Sequence, residues 1–134
     1  MKYSNREGLV YFILDNIGNV KIGVTECSHS MARNSNIVVL NTVFNRIKQL
    51  QTGNANELTV YLIVRCKDRE TMFMLEGMLH RKFNEFKKCG EWFEFEPVEN
   101  YLCDLWNDTK IIYYRLLWDK LLYEFANILD KKAL

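Results

Sequence analysis

One predicted helix carries a carboxylate and an imidazole whose spacing could build a cation site. Glu76 lies between the apolar residues Leu75 and Leu79, roughly 60° from the centre of the apolar stripe, so its carboxylate should be half buried. Such burial is costly without a partner, and Mg²⁺ suits a single carboxylate that shares the ion with a phosphate group. His80 follows one turn later on the same side and could reach the same site. The Glu-x-x-x-His spacing also permits zinc, but no further ligand appears at a suitable spacing.

Tyr11 and Lys21 form a second pair, on two predicted strands. A phenol with an ordinary pKa of about 10 is a poor base at neutral pH unless a cation favours its ionised form. An ammonium beside Tyr11 would supply that cation and could also face a phosphate. In a purely structural interpretation, Tyr11 is a core aromatic, Lys21 is a solvated charge, and Glu76 pairs with Lys21 or Arg46 without a metal.

Apolar periodicity predicts the elements that must position these residues. Residues 9–14 and 20–25 flank a loop that contains glycine, which predicts an antiparallel hairpin. Residues 26–41 have no clear period and are predicted to be a loop or insertion. Thr42 is a predicted cap for a first helix, which ends at residues 52–54.

The second half of the chain continues this pattern. Residues 58–66 alternate and predict a third strand, after which Asp68 caps a long helix that Cys89 and Gly90 close. Residues 92–95 are expected to be extended. Pro97 suits the first turn of another helix, and residues 109–130 predict a last one.

The order of elements predicts an α+β domain with a three-stranded antiparallel sheet flanked by helices, β-β-α-β-α, and a C-terminal helical extension. We expect residues 1–96 to form the domain and residues 97–134 to pack on it. The last helix carries a broad apolar stripe that either completes the core or mediates a homodimer. Its residues are Ile111, Tyr114, Trp118, Leu121, Leu122, Phe125, Ile128 and Leu129.

Five motifs occur in order on these elements. They are Leu-Val-Tyr-Phe-Ile at residues 9–13, Val-Lys-Ile-Gly at 20–23, Asn-Arg-Ile-Lys-Gln-Leu-Gln-Thr-Gly-Asn at 45–54, Leu-Glu leading to Leu-His and Phe within 75–83, and Gly-Glu-Trp-Phe at 90–93. Together they resemble the GIY-YIG endonuclease superfamily, in particular its phage and large-DNA-virus branch. Lys21 departs from the family name, which has a second tyrosine at this position, although some members carry lysine.

This resemblance implies the GIY-YIG fold and a Mg²⁺-dependent (or Mn²⁺-dependent) endonuclease that hydrolyses DNA to a 5′-phosphate and a 3′-hydroxyl. Tyr11 matches the general base, and Lys21 would assist it. Arg46 matches the arginine that stabilises the scissile phosphate, and Glu76 matches the metal ligand.

Other polar residues are candidates for supporting roles. His80 is expected to hydrogen-bond near the site or to the turn at residues 90–92, and Glu91 is a candidate for a supporting contact. Lys48 and Arg33 are candidates for nucleic-acid binding, and Arg33 competes with Arg46 for the phosphate.

Composition limits the classes of function. The chain has 134 residues, with 18 basic against 17 acidic side chains, and its net charge of +1 argues against non-specific coating of DNA. Four scattered cysteines suggest reduced thiols rather than a zinc site or disulfides. With no signal peptide and no membrane-spanning run, we expect an intracellular protein, in a cytoplasm or a host cell nucleus. The alternatives to an endonuclease are a catalytically inactive module that binds nucleic acid or a partner protein, and a structural oligomerisation protein.

Overall fold

The strand β1 (Gly8–Leu14) is an interior strand of a sheet, and its residues 9–13 are apolar or aromatic and fully buried. The computed structural model describes residues 6–109. The other elements are β2 (Asn19–Glu26), α1 (Asn36–Gln51), β3 (Thr59–Cys66), α2 (Arg69–Lys82), β4 (Lys87–Cys89), β5 (Trp92–Glu94) and α3 (Phe95–Thr109), with 3₁₀ turns at Met31–Arg33 and Asn84–Phe86.

The sheet has the order β3-β1-β2-β5-β4, and every neighbouring pair is antiparallel. Each face carries an apolar cluster. One cluster joins alternate residues of β1 and β2 to α2 and α3, through residues such as Val10, Phe12, Ile22, Leu75, Leu79 and Val98. The other joins the opposite face to α1, through Leu9, Tyr11, Ile13, Val39, Val43 and Ile63. The sheet is therefore a middle layer, and the two longest helices contribute to opposite clusters.

The α+β class and the antiparallel sheet are confirmed, but the expectation of three strands is wrong. Two short strands, β4 and β5, form a hairpin that extends the sheet beyond β2. Gly90 lies between them at φ 54°, a conformation that glycine adopts without strain. The sequence predicted Gly90 as the end of a long helix, because a glycine at positive φ suits the end of a helix as well as a hairpin turn.

Helix α1 begins earlier than the sequence predicted. Ser35, not Thr42, caps it, and the Ser35 side chain accepts a hydrogen bond from the Val38 amide. The hydroxyl of Thr42 instead bonds to the Val38 carbonyl, 2.8 Å away, within the helix. Residues 36–41, expected to be loop, form the first turns of α1.

Helix α2 begins at the predicted cap, because Asp68 accepts a hydrogen bond from the Thr71 amide at 2.8 Å. It ends at Lys82, earlier than predicted, and the chain then makes the 3₁₀ turn Asn84–Phe86. The expected extended piece is β5, but Phe95 already belongs to α3. Pro97 lies in the first turn of α3, as predicted.

A buried ion pair fixes the segment before α1. Glu7 and Arg65 are both fully buried, and Arg65 donates to both carboxylate oxygens of Glu7, once at 2.7 Å. Asn34 also donates to Glu7, at 3.0 Å, and its carbonyl accepts from Arg65 at the same distance. Arg65 further reaches Asn36, the first residue of α1. This network joins β1, β3 and the start of α1.

The predicted helix over residues 109–130, its apolar stripe and the homodimer lie outside the described residues, apart from residue 109, and stay predictions. Within residues 6–109, no helix has the length and apolar character needed to cross a membrane.

Candidate active site

Tyr11 lies across β2, with its hydroxyl over Gly23, beyond the part of β2 that pairs with β5. It pairs with Gly23 in the β1–β2 ladder, and a Cβ built on Gly23 would lie 2.5 Å from the hydroxyl oxygen. The ring is 1% exposed and packs in the α1-side cluster. Only a glycine at this position leaves room for the phenol.

Arg46 of α1 contacts that hydroxyl. Its Nε donates to the Tyr11 oxygen at 3.4 Å, and its Nη1 donates to Gln49 at 3.0 Å. The hydrogen bond with Tyr11 and the charge that oxygen can carry raise the pKa of Arg46. The guanidinium therefore lies directly beside the Tyr11 hydroxyl.

The outer edge of β2 changes partner at Ile22. Strand β5 pairs with β2 only from Asn19 to Lys21. The Ile22 amide then donates to the Glu91 carbonyl at 3.1 Å, and the Ile22 carbonyl lies 2.8 Å from Nε2 of His80. His80 thus takes the place that a further residue of β5 would have in the ladder. This change brings α2 to the edge of the sheet.

Lys21 and Glu91 form an ion pair beside this edge. The ammonium of Lys21, a buried residue, is 2.7 Å from Oε1 of Glu91, whose side chain is 38% exposed. Burial opposes ionisation of Glu91, but its bonds with Lys21 and Glu76 outweigh burial and hold the pKa of Glu91 below its usual value. The two opposite charges, which are 70 positions apart in the sequence, therefore compensate each other.

Glu76 carries a carboxylate that lacks a partner of opposite charge. Burial, together with a shared hydrogen bond and repulsion from the Glu91 carboxylate, raises the pKa of Glu76 to about 7, although Lys21 lowers it somewhat. Oε2 of Glu76 is buried and accepts no hydrogen bond from the described residues. An ion pair of Glu76 with Lys21 or Arg46 is absent from this part of the chain.

Within residues 6–109, one group of three side chains could hold a metal ion: Glu76, His80 and Glu91. Each offers one ligand atom, and these atoms lie within 4.8 Å of one another. The buried, unpartnered oxygen of Glu76 fits a cation, which would supply the missing compensation. The donor set therefore fits a divalent metal anchored at Glu76.

An open groove of about 610 Å³ leads away from Arg46. The second half of β2 lies at its base, and α1 and α2 form its sides. Mostly polar side chains of α1 line one side, and apolar side chains line the other: Thr42, Asn45, Arg46 and Gln49 of α1, and Met72 and Phe73 of α2. Arg46 lines this groove and also contacts the Tyr11 hydroxyl, so the groove adjoins that hydroxyl.

The four residues expected to carry chemistry make two contact pairs at this edge. Tyr11 contacts Arg46, whereas Lys21 contacts Glu91, which in turn is close to Glu76. The cation that touches the Tyr11 hydroxyl is thus Arg46, where the sequence favoured Lys21. Glu91, expected only as a supporting residue, connects Lys21 to Glu76. Its place in the Gly-Glu-Trp-Phe motif was the signal for a larger role.

The two predicted nucleic-acid contacts lie elsewhere. Lys48 follows Arg46 by two residues, roughly 200° around the helix, so the two cannot face Tyr11 together. Arg33 is exposed in the 3₁₀ turn before α1. Contacts of Lys48 and Arg33 with nucleic acid stay predictions.

Comparisons with protein-family models, with curated proteins and with solved structures found no match to this chain.

Proposed function

We propose that this chain is a GIY-YIG-type endonuclease that hydrolyses DNA phosphodiester bonds with a divalent cation, Mg²⁺ or Mn²⁺. Tyr11 is the general base, Arg46 stabilises the phosphate, Glu76 holds the metal, and Lys21 provides a fixed positive charge. The observation that carries this proposal is the proximity of two contact groups, Tyr11–Arg46 and Lys21–Glu91–Glu76, which the attraction between Arg46 and Glu91 connects.

The charges of the site support a phosphodiester substrate. Lys21 and Arg46 balance Glu76 and Glu91 when all four are ionised. A bound divalent cation would leave the site with two positive charges, and a phosphodiester attacked by hydroxide carries two negative charges. Such a site binds the transition state more strongly than the free diester, as catalysis requires.

The roles of the protein residues follow from their contacts. Tyr11, in its ionised form and in contact with Arg46, removes a proton from water, and the resulting hydroxide attacks phosphorus. The bond from phosphorus to the 3′ oxygen breaks, and that oxygen takes a proton from solvent, which leaves a 3′-hydroxyl and a 5′-phosphate. Arg46 donates hydrogen bonds to the phosphate oxygens as their charge increases. A metal at Glu76 would supply further stabilisation of negative charge.

The groove beside Arg46 supports a polymer as substrate rather than a small phosphate ester. It is open and extends from Arg46 along the second half of β2. A strand could therefore extend from the reacting phosphate while its next nucleotides lie between α1 and α2.

A nuclease assay on the full chain tests the proposal. With Mg²⁺ or Mn²⁺ the protein should nick or cut DNA, and Tyr11→Phe and Glu76→Ala should each lower the rate at least about 100-fold. Matched controls are Tyr101→Phe, which removes a buried hydroxyl of α3 that accepts no bond from the described residues, and Glu70→Ala on the exposed face of α2.

Cleavage that persists in both site variants contradicts the proposal. Binding of DNA without cleavage in any divalent metal also contradicts it, and favours a module that has lost activity.

A further inference from the structure

The imidazole of His80 is oriented by a backbone carbonyl. Its Nε2 lies 2.8 Å from the Ile22 carbonyl oxygen, and a carbonyl can only accept, so Nε2 carries a hydrogen. In the neutral imidazole this arrangement leaves the lone pair on Nδ1. Histidines that bind metals usually donate from the nitrogen that does not bind the metal to a carbonyl or carboxylate. The contact of His80 with Ile22 is of this kind.

The two carboxylates offer oxygens in the same small space. Oε1 of Glu91 accepts from Lys21, and the Glu91 carboxylate also shares a hydrogen bond with Glu76. Oε2 of Glu76 is buried and accepts no bond from the described residues. Ligand atoms of Glu76, His80 and Glu91 lie within 4.8 Å of one another, whereas ligands of one octahedral ion are roughly 3–4 Å apart. Small side-chain movements would bring them to one ion.

We propose that His80 and Glu91 join Glu76 as ligands of one divalent cation, and that the nitrogen ligand makes the site prefer Mn²⁺ to Mg²⁺. This inference rests on the proposed function only in placing a cation at Glu76. Mg²⁺ binds oxygen and keeps much of its water shell, so an imidazole adds little to its affinity. First-row transition metals accept imidazole nitrogen more readily, and their affinity increases from Mn²⁺ along the series.

In the proposed metal site, Glu91 adds a ligand from outside α2. The Glu-x-x-x-His spacing of α2 supplies two donors from one helix, and the β4–β5 hairpin brings the third from 11 residues beyond His80. Lys21 then fixes the orientation of Glu91. Three protein ligands leave positions for water and for a phosphate oxygen, as a catalytic metal requires.

Metal binding by the full chain, measured without DNA, tests this inference. Isothermal titration with Mn²⁺ and with Mg²⁺, and the electron paramagnetic resonance of bound Mn²⁺, report the two affinities. The wild type should bind Mn²⁺ about tenfold or more tighter than Mg²⁺. His80→Gln keeps an amide that can donate to the Ile22 carbonyl but has no nitrogen lone pair. It should weaken Mn²⁺ about tenfold or more and change Mg²⁺ binding less than about threefold.

Two further variants separate the contributions. Glu91→Gln removes an ionised oxygen ligand and should weaken both metals about tenfold. His29→Gln changes the other histidine of the chain, which is exposed, and should leave both affinities unchanged. Thermal unfolding of each variant without metal shows whether it is folded.

A wild type without preference for Mn²⁺, or a folded His80→Gln variant with the preference intact, would overturn the inference. Because the titrations contain no DNA, the two proposals fail separately. Mn²⁺ selectivity without DNA cleavage would leave the metal site standing and reject the nuclease. Cleavage of DNA by a chain in which His80→Gln does not change metal affinity would support the nuclease and reject the three-ligand metal site.

Discussion

Gly23 is the position at which the smallest change should disturb the site most. The phenol of Tyr11 lies where a Cβ of residue 23 would be, with its hydroxyl oxygen and ring carbon Cζ within 2.6 Å of that place. The backbone of Gly23 is ordinary strand, so alanine is excluded by the contact and not by its conformation. The glycine of the second motif is therefore part of how Tyr11 is positioned.

Gly23→Ala should move the Tyr11 ring and lower DNA cleavage at least tenfold, because misplacement of a reacting group by about 1 Å has large kinetic cost. Overpacking should also lower the free energy of unfolding by about 1–3 kcal/mol. Cleavage rates and urea unfolding measure the two effects.

Gly77→Ala is the matched control. A Cβ at residue 77 would meet only the flexible end of Arg81, at 3.3 Å, and alanine favours a helix. The free energy of unfolding should therefore increase by about 0.5–1 kcal/mol. The rate of DNA cleavage should be unchanged. Equal loss of activity in both variants would argue against the special role of Gly23.

Glu76 should make metal-free stability depend on pH. The folded protein keeps the Glu76 proton up to about pH 7, whereas the unfolded chain loses it near the ordinary pKa of 4.5. Between these values the folded state binds more protons, so the Glu76 contribution to stability decreases as pH rises through this window. In Glu76→Gln this contribution is absent. Relative to wild type, the variant should therefore become more stable between about pH 5 and about pH 8.

Urea unfolding in EDTA at both pH values measures this difference. Glu70→Gln, an exposed change on the same helix, should show the same pH trend as wild type. A Glu76→Gln variant that also follows the wild-type trend would show that the carboxylate is not protonated in the folded state.

The sequence motifs predict roles for Tyr11, Arg46, Glu76 and His80, but not how these residues contact each other. The motifs placed the Lys21 ammonium beside the Tyr11 phenol, whereas in the β1–β2 pairing Lys21 is opposite Ile13 and Tyr11 is opposite Gly23. Its partner Glu91 is 70 residues away. Contacts over that distance depend on how the hairpin β4–β5 extends the sheet, which no local pattern specifies.

Among the elements, α1 depends most on contacts outside itself. Its first turn contains the β-branched run Ile37-Val38-Val39, a weak helix former, which is why its start was predicted too late. The Glu7–Arg65–Asn34 network holds this start in place. Patterns of apolar residues predict β1, β2 and β3 well, whereas a buried ion pair leaves no periodic signal.

Arg65→Met should lower the free energy of unfolding by about 3–5 kcal/mol, because it leaves the carboxylate of Glu7 buried without its partner. Cleavage should also decrease at temperatures where the variant is folded, since α1 carries Arg46. Urea unfolding and the nuclease assay report the two effects.

Lys88→Met is the control for the loss of a charge pair. Lys88 and Glu94 form an ion pair whose side chains are about half exposed, so its loss should cost less than about 1 kcal/mol. Similar losses in Arg65→Met and Lys88→Met would mean that the buried pair does not hold α1.

The whole molecule is nearly neutral, with a net charge of +1. Under the proposed function, affinity for DNA should therefore come from a few local contacts and not from a broad basic surface. A homodimer through residues 97–134, a sequence prediction, would double the number of sites without changing this balance.

DNA binding should consequently weaken only moderately with salt. For roughly two or three phosphate contacts, a plot of log affinity against log salt should have a slope of about −2 to −3. Fluorescence anisotropy with the Tyr11→Phe variant measures it without cleavage. Arg46→Gln should reduce the magnitude of the slope by about one, and Lys48→Gln tests the predicted contact of Lys48. A steep slope that Arg46→Gln does not change would contradict local binding.

The contact between Lys21 and Glu91 can form only late in the synthesis of the chain. Because it joins residues 70 positions apart, it closes a much longer loop than the contact of Tyr11 with Arg46, 35 positions apart, and longer loops cost more entropy to close. A ribosome makes the β1–β2 hairpin and α1 well before residue 91 exists. A growing chain therefore carries the phenol and the guanidinium early but completes the acidic half of the site only near the end of the domain. Under the proposed function, the growing chain should therefore not cut nearby DNA until its hairpin β4–β5 has been synthesised and has joined the sheet.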